Sequence, residues 1–153
     1  MFLEKVNSND TIVKSLIEDD ENDPVADKIY ALINNNKMYI CKTAHEKLNQ
    51  MLSNVGSDDE IERYNQLLKK IEIIDDEEDE IFCEATGRIW NKWTKTTYET
   101  ASIKKFTLLT GNISATKSAY ENGFTDIDII VHRSRCLFGK KRDNEYNKNM
   151  KKI

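Results

Sequence analysis

The sequence predicts an α/β protein, a three-layer α/β/α sandwich around a mainly parallel central sheet. Three observations lead there. Short apolar runs of strand type recur along the 153 residues, segments of helical periodicity separate them, and capping residues stand where those helices should begin. Strands separated by one or two helices need crossover connections, which place them parallel and cover the sheet on both faces.

Met1-Phe2-Leu3 opens the pattern as a buried strand, and Ile12, Val13, Leu16 and Ile17 then recur at helical spacing. A second helix is announced by Asp23 as N-cap and Pro24 at the first helical position; Ile29, Leu32 and Ile33 give its apolar face, and Asn34-Asn35-Asn36 stop it. Met38-Tyr39-Ile40-Cys41 reads as the second strand. Thr43 and Glu46 then form a capping box for a helix through Leu48, Met51 and Leu52. After Gly56, a second capping box of Ser57 and Glu60 starts a helix whose face is Ile61, Tyr64, Leu67, Leu68 and Ile71.

Ile71-Glu72-Ile73-Ile74 is the third strand. Asp75 with Glu78 caps a long helix carrying Ile81, Phe82, Ala85, Ile89 and Trp93, and the acidic run Asp75 to Glu80 reads as its solvated start at the positive end of the helix dipole. A short helix spans residues 97–105, and Phe106-Thr107-Leu108-Leu109 forms a central strand. Helix 113–122 ends at Gly123, and residues 127–131 form a last strand buried on both faces. Leu3, Ile40, Leu108 and Ile129 are the expected buried strand residues.

Apolar residues make up 39% and charged residues 33%, so a packed core with a strongly solvated surface is expected. No apolar run approaches the ~20 residues of a membrane helix, and the start shows no export pattern. Three cysteines, Cys41, Cys83 and Cys136, suit reduced thiols in the cytoplasm. The net charge of −4 hides an asymmetry: residues 1–90 hold 10 Lys/Arg against 21 Asp/Glu, a net −11, and residues 91–153 hold 13 against 6, a net +7. One domain over residues 1–132 is expected, followed by a basic tail, 133–153. Arg133, Arg135, Lys140, Lys141 and Arg142 suit a phosphate backbone; the alternative is that the tail folds back on the acidic half of its own chain.

The strongest passage is Leu108-Leu109-Thr110-Gly111-Asn112, followed by Ala115, Ala119 and Gly123, then Ile127-Asp128-Ile129-Ile130. It resembles the late strand–helix–strand of PIN-domain nucleases, in which a leucine-rich strand ends in Thr-x-Asp or Thr-x-Asn and a helix of small residues follows. Met1-Phe2-Leu3-Glu4 is similar to the family's opening strand with its terminal acid, and Met38-Tyr39-Ile40 followed by Glu46-Lys47-Leu48 to its second strand and helix-borne Glu-x-Leu. The likeness covers roughly residues 1–131. It implies a PIN-like domain that hydrolyses RNA phosphodiesters with Mg2+ or Mn2+, hard cations held by oxygen ligands.

Position by position, the resemblance implies Glu4, Glu46, Glu99 and Asn112 as site residues, with Glu4, Glu46 and Glu99 on the metal; Asp79 and Asp10 are substitutes for the acids. The chain departs from the pattern with Glu at the first and third acids and a neutral amide at the fourth. Fewer carboxylates weaken a cation, so the alternative is an inactive PIN-like or other α/β module that binds a protein partner or nucleic acid. Each residue also has a structural reading: Glu46 as part of a capping box, Glu4 as a strand-end charge, Asn112 as a helix cap.

Cys41-x3-His45 and His132-x3-Cys136 are four soft ligands of the kind zinc takes, but Cys41 closes a strand and no Cys-x2-Cys knuckle is present. No phosphate loop, Gly-x-Ser-x-Gly or Gly-x-Gly-x-x-Gly occurs. Trp90, Trp93 and Tyr98 lie among Lys92 and Lys95, a mixture suited to single-stranded nucleic acid. Trp93, in phase with Ile89, is read as core and Trp90 as surface.

If the tail contacts RNA phosphates, affinity falls with salt at a log–log slope of roughly −0.7 per neutralised phosphate. Replacing Lys140, Lys141 and Arg142 together by Ala should flatten that slope by about 2 units and weaken binding alike across sequences. A tail folded on its own chain would instead show lower stability in the triple variant with RNA affinity unchanged.

Overall fold

The computed structural model describes residues 25–78, 80–82, 85 and 87–132. Helix α1 covers Val25–Asn35, strand β1 Met38–Cys41, helix α2 Lys42–Val55, helix α3 Asp58–Leu68 and strand β2 Ile71–Ile74. A single 3-10 turn at Glu80–Phe82 leads to helix α4 at Lys92–Lys104, strand β3 at Leu108–Thr110, helix α5 at Ile113–Glu121 and strand β4 at Ile129–Val131. The chain is thus mixed α/β. The strand at Met1-Phe2-Leu3, the helix through Ile12 and Ile17, and the Asp23-Pro24 cap lie outside the described residues.

The strands pair two by two, β1 with β2 and β3 with β4. The second pair is parallel, with Leu108 opposite Ile129, Leu109 opposite Ile130 and Thr110 opposite Val131. Helix α5 is the crossover that a parallel pair requires. Burial of this pair is partial: Leu108 and Ile129 pack on the core and are half-buried, as is Leu109, whereas Ile130 and Val131 are exposed. The expectation of a last strand buried on both faces is corrected accordingly, and Ile40 in β1 is likewise only half-buried.

The chain divides into two compact units, the first holding the described residues of Met1–Met38 with Met51–Lys70, the second Tyr39–Gln50 with the described residues of Ile71–Ser134. In the first, Asn35 and Asn36 stop α1 by donating from their side-chain amides to the carbonyls of Ala31 and Leu32, groups that a helix end leaves unpaired. The Ser57–Glu60 capping box is present: the Glu60 N–H donates to Ser57 Oγ, and the Ser57 N–H donates to the Glu60 carboxylate at 2.8 Å. Gly56 precedes it because a Cβ there would stand 2.7 Å from the Leu52 carbonyl oxygen.

Among the described residues the second unit holds the larger core. Phe82, Ala85, Trp90, Tyr98, Ala101, Ala115, Ala119 and Ile127 are buried together, with Leu108, Phe124 and Ile129 against them. Its centre is aromatic: the Phe82 ring lies 5.2 Å from Trp90 and 4.2 Å from Phe124, and Trp90 meets Tyr98 edge-on at 5.4 Å. Ala115 and Ala119 let α5 approach this cluster closely. Gly123, at φ 79°, then ends α5 as expected, with its N–H on Tyr120 and that of Phe124 on Ala119, so that Phe124 folds back onto the core.

Two expectations fail between β2 and α4. Among the described residues the long helix capped by Asp75 is not formed: those residues make only the turn at Glu80–Phe82, and α4 starts at Lys92 behind its own cap, Asn91, whose side chain accepts from the Thr94 N–H. This shift exchanges the tryptophans. Trp90 lies before the helix, 5% exposed, with its indole N–H on Ser118 Oγ at 2.9 Å, whereas Trp93 is 43% exposed on the helix surface.

Phe82 touches three other aromatic rings and is fully buried, so Phe82→Ala leaves a cavity that small neighbours cannot fill. Loss of about 3–5 kcal/mol of stability is expected in denaturant unfolding.

Candidate functional site

The carboxyl ends of β1 and β2 come together through three consecutive acids. Helix α2 begins immediately after β1, and its first turn has backbone N–H groups with no partner inside the helix. Asp76, just past β2, supplies one: its carboxylate accepts from the Thr43 N–H at 3.0 Å and from the Thr43 hydroxyl at 2.7 Å. A carboxylate distant in sequence therefore caps α2, and the expected capping box of Thr43 with Glu46 is corrected. Asp75 pairs with Lys42, which holds its carboxyl below the usual range and raises the lysine in turn. Glu77 pairs with Lys104, and its N–H donates to Thr100 Oγ1 at 3.0 Å.

These bonds explain why the acidic run is no helix. The carboxylates of Asp75, Asp76 and Glu77 and the Glu77 N–H are used by α2 and α4, and tertiary partners outweigh a local capping signal.

Helix α4 meets the ends of β1, β2 and β3 through residues 97–100. Thr97 Oγ1 lies 3.8 Å from Cys41 Sγ at the end of β1. Tyr98 OH hydrogen-bonds Thr116 Oγ1 on α5 at 3.0 Å and also contacts Thr110, the last residue of β3. Thr100 reaches Glu77 behind β2. Between them stands Glu99, only 7% exposed. Burial pushes the Cys41 thiol up, against hydrogen bonds from Ala44 and Thr97, so the thiol stays protonated at neutral pH. Burial likewise raises Tyr98.

At β3, the Asn112 N–H donates to Thr110 Oγ1, and Asn112 Oδ1 accepts from the Ala115 N–H at 3.1 Å. Asn112 is thus the cap of α5. The Thr116 hydroxyl donates to the Asn112 carbonyl, which ties this turn to Tyr98.

The residues expected at the site fall differently. Glu99 is buried on α4; Glu46 is exposed on α2, one turn from Lys42; Asn112 caps α5. Glu4, Asp10, Asp79, Cys83, Cys136 and the tail residues Arg133, Arg135, Lys140, Lys141 and Arg142 lie outside the described residues. Among the described residues no three His, Cys, Asp or Glu side chains group so as to hold a metal ion. Glu46 and Glu99 therefore make no metal set with another described acid. Of the zinc candidates, Cys41 is at Thr97, and His45 Nε2 is 3.0 Å from the Asn49 amide nitrogen.

Sequence reasoning missed Asp76, Thr97 and Thr100. A readable signal existed in Thr94-Lys95-Thr96-Thr97-Tyr98-Glu99-Thr100, since such residues gain little inside a helix unless their hydroxyls are used. It also missed that Lys47 stands over the Trp93 ring, 4.0 Å from its centroid.

Residues 7–145 match the family described as "Protein of unknown function (DUF1308)". No curated protein and no solved structure matches the chain. Among the described residues, no helix is long and apolar enough to cross a membrane.

Asp76→Ala and Thr43→Val should each destabilise the protein by about 1–3 kcal/mol, since each leaves a polar group without its partner. The double variant should cost less than the sum of the two by about 0.5 kcal/mol or more, measured as a double-mutant cycle in urea.

Proposed function

The chain belongs to the DUF1308 family, and we propose that it is a PIN-like, cytoplasmic endoribonuclease that depends on Mg2+ or Mn2+. In this reading both strand pairs belong to one mainly parallel central sheet in an α/β/α sandwich. The supporting observation is Glu99, a buried carboxylate on the helix whose neighbouring residues touch the ends of β1, β2 and β3. α/β proteins build their sites at that edge. A carboxylate is costly to bury and is retained where a cation or a hydrogen-bond network takes it up.

The parallel β3–α5–β4 unit, with Thr110-Gly111-Asn112 at the end of β3, is the part of the fold that carries the resemblance to PIN nucleases. In the proposal Glu4, Glu46 and Glu99 are the acids that hold the ion. Asn112 keeps the β3 turn in place by capping α5, and Arg133, Arg135, Lys140, Lys141 and Arg142 bind the RNA backbone. The ion, when bound, supplies an activated water and neutralises charge at the phosphodiester. The described residues do not form a three-ligand set on their own, so the reading stands or falls with Glu4. The second reading is an inactive module of this fold that binds a protein partner or nucleic acid.

Two measurements separate the readings. Mn2+ at a concentration 100 times its Kd should stabilise an intact site by about 2.7 kcal/mol and raise the melting temperature. Glu99→Gln should abolish this rise and slow cleavage of single-stranded RNA at least roughly tenfold. Neither cleavage nor a thermal shift in millimolar Mn2+, with the protein folded, would establish the inactive module.

A further inference from the structure

A large aromatic side chain left in water next to a lysine needs an account, because burial would reward it. Trp93 is 43% exposed although a second tryptophan three residues earlier is buried in the core. It is not loose: the Lys47 ammonium sits 4.0 Å from its ring centroid, and that lysine is steadied by Gln50 Oε1 at 3.3 Å. A cation over a ring fixes the ring's orientation at a surface. The next turn of the same helix is anchored as well, with the Thr97 hydroxyl on the Trp93 carbonyl at 2.8 Å and against Cys41.

The surrounding charge points the same way. Lys92 and Lys95 flank Trp93 in the first turn of α4, which contains no acid. Helix stability favours acids there, so these lysines work against the helix dipole. Residues that break a local rule without a structural return mark places where a ligand makes the return. Lys47 lies over the exposed indole and Lys92 occupies the adjoining exposed position of α4, and Glu46, an acid of the proposed nuclease site, is the residue next to Lys47 on α2.

We propose that Trp93 is a stacking platform for a base of single-stranded RNA, with Lys47 and Lys92 on the adjoining phosphates. This deepens the nuclease reading and rests on it for the identity of the ligand. Every base has a face that stacks on indole, so the platform holds RNA irrespective of sequence. Bases inside a duplex are already stacked, which makes the platform selective for single strands. Lys47 follows Glu46 on α2, so a strand held there lies against the helix that carries one of the proposed acids.

The test uses the full chain and a fluorescein-labelled oligoadenylate in EDTA, so that binding is read without metal or cleavage. Trp93→Ala should weaken binding roughly tenfold, as expected for one stacked base, with the salt slope unchanged because stacking releases no counterions. Trp93→Phe should restore most of the affinity. Replacing Lys47 and Lys92 by Ala should flatten the slope by about 1.4. RNA should quench the tryptophan emission of the intact protein but not that of Trp93→Phe, whose remaining Trp90 is buried. Unchanged melting temperatures for these surface variants show that the fold is retained.

Affinity of Trp93→Ala equal to that of the intact protein overturns the proposal, as does an equal loss for a duplex of the same length. A change in oligomeric state with RNA affinity unchanged overturns it in favour of a protein interface. Because the assay contains no metal, failure of Glu99-dependent cleavage leaves this result standing, whereas an intact protein that binds no RNA at low salt overturns both.

Discussion

The second unit is organised by the need to satisfy polar groups that helix α4 buries. Five of the six residues it buries, Thr96, Tyr98, Glu99, Thr100 and Ser102, are polar, and only Ala101 is not. A buried hydroxyl without a partner costs about 1–3 kcal/mol, so such a helix is stable only where partners are waiting. No described buried side-chain polar atom lacks one. The partners of Thr97, Tyr98 and Thr100 are the ends of β1, β3 and β2, so satisfying this one helix also fixes where three strands stop. Apolar packing comes from the other side, through Tyr98 and Ala101 to Phe82 and Trp90.

What the sequence made legible is what a few neighbouring residues decide. The strands at 38–41 and 71–74, the Ser57–Glu60 capping box, the Asn112 cap and the Gly123 stop all depend on groups within about one helical turn, and all are present. The failures depend on partners far along the chain. Asp75 and Asp76 look like a helix start, but Asp76 is bound to Thr43, 33 residues away, and Glu77 to Thr100, 23 residues away. Once those acids are taken the helix cannot begin there. Its absence moves Trp90 off the periodic face that would have exposed it and brings it to Phe82, while Trp93 turns outward.

The candidate site was legible in the same partial way. Asn112 could be placed at a strand end from its own surroundings, and Glu99 could be named from resemblance, but the burial of Glu99 follows from the threonines beside it and their distant bonds. The acidic run drew attention by its charge alone, yet Asp75 and Glu77 are spent on Lys42 and Lys104, and Asp76 on a helix cap. Density of charge in sequence is a poor guide to free charge at an edge.

Asn112 shows how structural and chemical demands divide one turn. Its amide oxygen caps α5, and an aspartate would cap about equally well, so stability does not select the neutral residue. What the amide changes is charge: the β3 turn contributes a dipole where the resembling nucleases often place a carboxylate. An amide oxygen has a second lone pair, so capping leaves it able to accept once more. In the nuclease reading the negative charge that attracts a cation comes from Glu4 together with Glu99 on α4 and Glu46 on α2, while the turn after β3 provides position. A site divided in this way draws its geometry from the hydrogen bonds that hold α2 and α4 to the strand ends, which makes Thr43, Thr97 and Thr100 as necessary to it as the acids themselves.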